Sequence, residues 1–83
     1  MEYDKNKVDE TVLALLYLTM FEDKSGRRAW KGQDRETMAR LHEKGYISDP
    51  KGKAKSVVMT EEGARRAKEL FEKQFGANAG NAV

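Results

Sequence analysis

The amino-acid sequence predicts a mainly helical α+β domain, with three helices at about residues 5–21, 34–44 and 60–75 and a β-hairpin at about 46–59. Three observations carry that prediction. Apolar residues recur at helical spacing in the first and last of these segments. Asp34 and Thr60 stand where a helix N-cap belongs, each at the start of a helical segment. Between the second and third helices, Asp49-Pro-Lys-Gly52 is a turn signal: proline presets φ near about −65° and glycine accepts positive φ.

The first helix begins at about Asp4 or Lys5. Val8, Val12, Leu15, Leu16 and Thr19 form one face, Leu13, Tyr17 and Met20 a second, and Leu18 and Phe21 fill in between. From Val12 onward the helix is apolar nearly all round, which signals burial on more than one side. Two arrangements would cover the surplus. One is a homodimer packed through Val12, Leu13, Leu16, Tyr17 and Met20; the other lays the C-terminal helix of the same chain over the second face. Glu22-Asp-Lys-Ser-Gly26 then stops the helix.

Arg27-Arg-Ala-Trp-Lys31 is too short for a helix and reads as an extended stretch whose Trp30 anchors it to the core. The alternative for Trp30 is stacking on a nucleic-acid base. After Gly32 comes the second helix, with Met38 and Leu41 facing inward and Gly45 suited to the left-handed C-cap position. Tyr46-Ile-Ser and Lys53–Thr60, with its β-branched pair Val57-Val58, form the arms of the hairpin. Lys51, Lys53 and Lys55 make its tip basic. Thr60 caps the third helix, Glu61 and Glu62 suit the positive end of its dipole, and Ala64, Ala67, Leu70, Phe71 and Phe75 form its apolar stripe up to Gly76. Residues 77–83 lack periodicity and are expected to form a disordered tail, which leaves residues 1–76 as one domain.

A chain of 83 residues without cysteine holds no disulfide framework and no thiolate metal site. At this size only roughly 60% of the unfolded surface is buried on folding, so modest stability is expected. The N-terminal residues lack the pattern of a secretory signal. The most apolar run, Val12–Phe21, is about half of the ~20 residues that a membrane span requires, so a cytoplasmic protein with no membrane contact is expected. Net charge is only +2, yet residues 1–23 carry two Lys against six Asp/Glu, whereas residues 24–55 carry ten Lys/Arg against four Asp/Glu. An electropositive middle of this kind attracts anionic partners, nucleic acid among them.

Catalytic patterns are missing. His42 is the single histidine and has no neighbour at metal-ligand spacing; a surface or helix-capping role is the simpler expectation. Most carboxylates sit at helix starts or four residues before a cation, as Glu36 before Arg40 and Glu69 before Lys73. Gly52-Lys53 lacks the rest of a phosphate-binding loop. The expectation is therefore a protein that is not an enzyme and takes no metal or cofactor.

Leu41-His-Glu-Lys-Gly-Tyr-Ile47, the hairpin after it, and Met59-Thr-Glu-Glu-Gly63 together resemble winged-helix regulators of the MarR and PadR type over about residues 36–70. Met59 stands where that pattern usually has leucine, a volume-conserving change. Only twelve residues separate Phe21 from Asp34, too few for the supporting helix of a full helix-turn-helix. The chain is also similar to a family of short uncharacterised bacterial proteins through VLALLYLT, RAWKG, LHEKGYISDP and GKAKSV, at Val12–Thr19, Arg28–Gly32, Leu41–Pro50 and Gly52–Val57. That second resemblance implies no function.

The winged-helix resemblance implies a DNA-binding, transcription-regulating homodimer. On that reading Arg35, Arg40 and Lys44 of the second helix face phosphates or base edges of double-stranded DNA, Lys51, Lys53 and Lys55 touch the backbone, and Arg27, Arg28 and Lys31 flank them. The competing expectation is a protein–protein interaction module on the same scaffold, since shape alone does not dictate DNA binding.

Overall fold

A computed structural model describes residues 1–76; the tail expected at 77–83 lies outside them. The elements run α1 (Lys5–Leu18), β1 (Phe21–Asp23), β2 (Gly26–Trp30), α2 (Arg35–Glu43), β3 (Ser56–Val58) and α3 (Glu61–Phe75). The class is α+β with three helices, as the sequence predicts, and the arrangement is compatible with a winged-helix-like layout.

Each helix starts at a side-chain cap that accepts an otherwise unpaired backbone N–H. Asp4 accepts from Lys7, Asp34 from Thr37 and Thr60 from Gly63. Helix α1 ends at Leu18, three residues before the expected Phe21, because Phe21 belongs to a β-hairpin that was not foreseen. Phe21 pairs with Arg28, Glu22 with Arg27 and Asp23 with Gly26. The stretch expected merely to be extended is thus the central strand of an antiparallel sheet, in the order β1-β2-β3. Its other edge pairs Arg28 with Val58, Ala29 with Val57 and Trp30 with Ser56.

The segment 46–59 closes on itself only near its base. Ile47 bridges Met59, the Ser48 N–H donates to the Val58 carbonyl at 2.9 Å, and the Thr60 N–H donates to the Tyr46 carbonyl at 3.0 Å. The regular partner of its second arm is β2. The link from α2 to α3 explains the threonine-x-x-glycine step. The Thr60 hydroxyl donates to the Gly45 carbonyl at 2.7 Å, and a Cβ on Gly63 would overlap the Tyr46 carbonyl oxygen. Gly45 itself has φ +83°, the left-handed position that closes α2.

Helix α1 packs chiefly on α3 and less on α2. Val12, Leu13, Ala14 and Leu16 of α1 are buried with Ala64, Ala67 and Leu70 of α3, Met38 and Leu41 of α2, and Ala29, Ile47, Val57 and Met59 from the sheet side. This corrects the dimer surface expected on α1. Val12, Leu13 and Leu16 lie inside the chain's own core, and Tyr17 and Met20 are half-buried against it. The second face of α1 is covered by α3, with the Tyr17 and Phe71 rings 5.4 Å apart.

Trp30 also departs from expectation. It is not a core anchor but 53% exposed. Alternation along β2 turns Ala29 inward, so Trp30 faces outward.

Candidate functional site

Helix α2 carries basic residues on two opposite sides, and their surroundings differ. On the side facing α1 stands Asp9, only 1% exposed. Arg40 reaches it with Nε at 2.9 Å from Oδ1 and Nη2 at 2.8 Å from the same oxygen; Lys44 Nζ is 2.9 Å from Oδ2. Arg40 Nη2 also donates to Thr37 Oγ1, which in turn donates to the Asp34 N-cap carboxylate at 2.8 Å. Among the described residues no buried side-chain polar atom lacks a partner, so this network is complete.

Burial by itself pushes the Asp9 carboxyl up, but hydrogen bonds from Arg40 and Lys44, and then their charges, hold it below the ordinary carboxylate value. Asp34 is held low as well, by the Thr37 hydroxyl and then the Thr37 N–H.

The far side of α2 faces the connection to β3. A cleft of about 840 Å³ lies between them, lined by Arg35, Met38 and His42 on one wall and by Pro50 and Lys51 on the other, with Lys31 from the end of β2. Lys31 Nζ donates to the Pro50 and Gly52 carbonyls at 2.7 and 2.9 Å, which pins the loop without neutralising the ammonium charge. His42 Nδ1 lies 3.0 Å from the Ile47 carbonyl, an acceptor only, so Nδ1 carries the proton and Nε2 is the ring nitrogen left over. Glu43 and Asp49 also line the cleft, which tempers its positive field.

The nine cations expected to meet DNA therefore divide. Arg40 and Lys44 must be removed from the contact surface: they neutralise Asp9 and hold α2 to α1, and the expected Glu36–Arg40 pair gives way to this one. Arg28 lies across the sheet, donating to Ser56 Oγ at 2.8 Å and sitting 3.8 Å from Asp23. Arg27 makes an exposed pair with Glu22 at 3.9 Å, of the kind that contributes little. Lys31 is bound to carbonyls but keeps its charge. Arg35, Lys51, Lys53 and Lys55 are exposed and make no ion pair among the described residues.

Asp9 itself escaped the sequence reading. Its signal was present: Asp9 shares a helical face with Leu13 and Leu16, and a carboxylate in an apolar stripe requires a buried cation. Among the described residues no group of three or more histidine, cysteine or carboxylate side chains could hold a metal, and no helix is long and apolar enough to cross a membrane.

Comparison with known proteins adds kinship without a role. A family model described as a domain of unknown function (DUF6429) matches residues 4–77. The uncharacterised protein y4hR of Sinorhizobium fredii is 53% identical over 75 residues, covering 90% of this chain and 97% of the relative. No solved structure matches the chain.

Proposed function

The chain belongs to the DUF6429 family, and from that premise we propose that it is a non-catalytic cytoplasmic protein that binds double-stranded DNA in the manner of a small regulator. One observation carries the reading: Arg35, Lys51, Lys53 and Lys55 are exposed cations without carboxylate partners among the described residues, gathered on the start of α2 and the loop beyond the cleft, with charged Lys31 joining the two. The order of helix, lysine-rich loop, strand and capped helix supports it by its likeness to a winged helix. The contact surface is narrower than the sequence implied, because Arg40 and Lys44 are paired with the buried carboxylate of Asp9.

A labelled duplex of mixed sequence, followed by fluorescence anisotropy, tests this. If Arg35, Lys51, Lys53 and Lys55 each neutralise one phosphate, log Kobs falls with log salt at a slope of about −3.6, so affinity drops on the order of 10²-fold between about 50 and 200 mM salt. Lys53→Glu together with Lys55→Glu leaves the circular-dichroism melt unchanged and abolishes most of the binding. Absence of duplex binding at low salt rejects the proposal.

A second reading, a protein–protein module that pairs as a homodimer in solution, is favoured by a different observation. Leu18, Trp30 and Phe75 are large apolar residues that are 63%, 53% and 49% exposed. Sizing chromatography with and without about 1 M salt separates the two: at that strength the Debye length is about 3 Å, so an apolar association persists and phosphate contacts do not.

A further inference from the structure

Among the described residues, helices cover the three-stranded sheet on one face only. Ala29 and Val57 point into the core, and strand alternation places Phe21, Asp23, Arg28, Trp30, Ser56 and Val58 on the other face. There the Trp30 and Phe21 rings lie 5.0 Å apart at 36°, Trp30 with half of its surface in solvent. Arg28 crosses the same face, held by Ser56 and lying 3.8 Å from Asp23, so the part of this face open to a ligand is centred on the Trp30 ring.

Its electrostatic setting indicates what covers it. The strands and the connections beside them, residues 21–31 and 51–58, carry seven Lys/Arg against two carboxylates, Glu22 and Asp23, each lying beside an arginine of the sheet. Lys55 is next to Ser56, the cross-strand partner of Trp30, and its carbonyl accepts the Lys31 N–H at 3.0 Å. One exposed aromatic ring on a segment with more cations than carboxylates, Lys24, Lys51, Lys53 and Lys55 having no ion pair among the described residues, matches a ligand with stacked rings on a polyanionic backbone.

We propose that the outer sheet face binds unpaired nucleotides, with a base stacked on Trp30 and its backbone running towards Lys55. The inference rests on the nucleic-acid reading above and adds to it a second contact area, centred on Trp30, which shares Lys55 with the first.

Trp30 is the only tryptophan of the chain, so its emission reports this face alone. The probe is an oligothymidylate of about ten nucleotides, within the site size of a small single-strand binder. Trp30 emission should be quenched on titration. Trp30→Leu should weaken oligothymidylate binding by about 10-fold or more, Trp30→Tyr should restore most of it, and duplex affinity should change by no more than about 2-fold in either variant. Melting curves of both variants verify that they fold.

Oligothymidylate that binds by anisotropy without altering Trp30 emission overturns the inference and leaves the duplex reading standing. Duplex binding with no oligothymidylate binding does the same. Emission that tracks protein concentration, in step with a dimer on sizing, assigns the face to a second copy and also overturns it. Failure of both ligands overturns both readings.

Discussion

The two sides of α2 contain the same kinds of residue and use them in opposite ways. Towards α1, Arg40 and Lys44 meet a carboxylate that water barely reaches, and their charge holds two helices together. Towards the β3 connection, Arg35 and Lys51 flank a cleft and make no ion pair among the described residues. A cation's contribution is decided by what its neighbours require. Next to buried Asp9 it is structural; over an open cleft it remains available to an anionic ligand.

Four experiments break or sharpen that contrast. The largest effect is expected from Leu16→Asp, which places a carboxylate in the core beside α1 with no cation to meet it; the variant should lose its cooperative thermal transition. A folded variant that merely elutes later on sizing would return Leu16 to an intermolecular surface.

Asp9→Ala should come next. The cations left behind, Arg40 and Lys44, keep contact with water, so the loss is that of charged hydrogen bonds to one carboxylate, about 2 kcal/mol. Urea denaturation measures it, and a change near zero would mean that the two sides of α2 are equivalent.

The third test is pH. A carboxyl held low in the folded state stabilises the fold fully above its unfolded value near about 4, and that stability is lost as pH falls through the folded value. Stability should therefore fall below about pH 4, and Asp9→Asn should flatten that acid limb while leaving the part due to Asp34. An identical acid limb in the variant would show that Asp9 is not its source.

The smallest effect on the fold is expected from Lys51→Gln, Lys53→Gln and Lys55→Gln combined. The melting midpoint should stay where it is, since these side chains are exposed and unpaired among the described residues. The salt slope of duplex binding should become shallower by about 2.7. A lowered midpoint would place them, with Arg40 and Lys44, among the structural cations.

The legible parts of the molecule were those decided by near neighbours. The caps at Asp34 and Thr60 act on N–H groups three residues on, and the Gly45 turn needs only its own backbone angles. Of the stripe on α3, Ala64, Ala67 and Leu70 are buried as their spacing indicates, whereas Phe71 is half-buried and Phe75, at the helix end, is exposed. Less legible was the hairpin of β1 and β2. Phe21 continues the apolar pattern of α1 and was assigned to it, but cross-strand pairing with Arg28 gives its backbone a partner that the helix does not. Trp30 misled for a related reason: a lone tryptophan is ordinarily good core material, and only a strand with helices on one face turns it outward.

By itself the sequence determined three helices and their starts, the glycine turn after α2, and a basic middle third in a nearly neutral chain. Which cations stay free, which face of α1 is covered, and which side of the sheet stays bare were decided by tertiary structure. Those outcomes rest on partners distant in the chain, such as Arg40 with Asp9, 31 residues apart. A charge or an aromatic ring acquires its environment only when such distant segments meet, and no local pattern encodes that meeting.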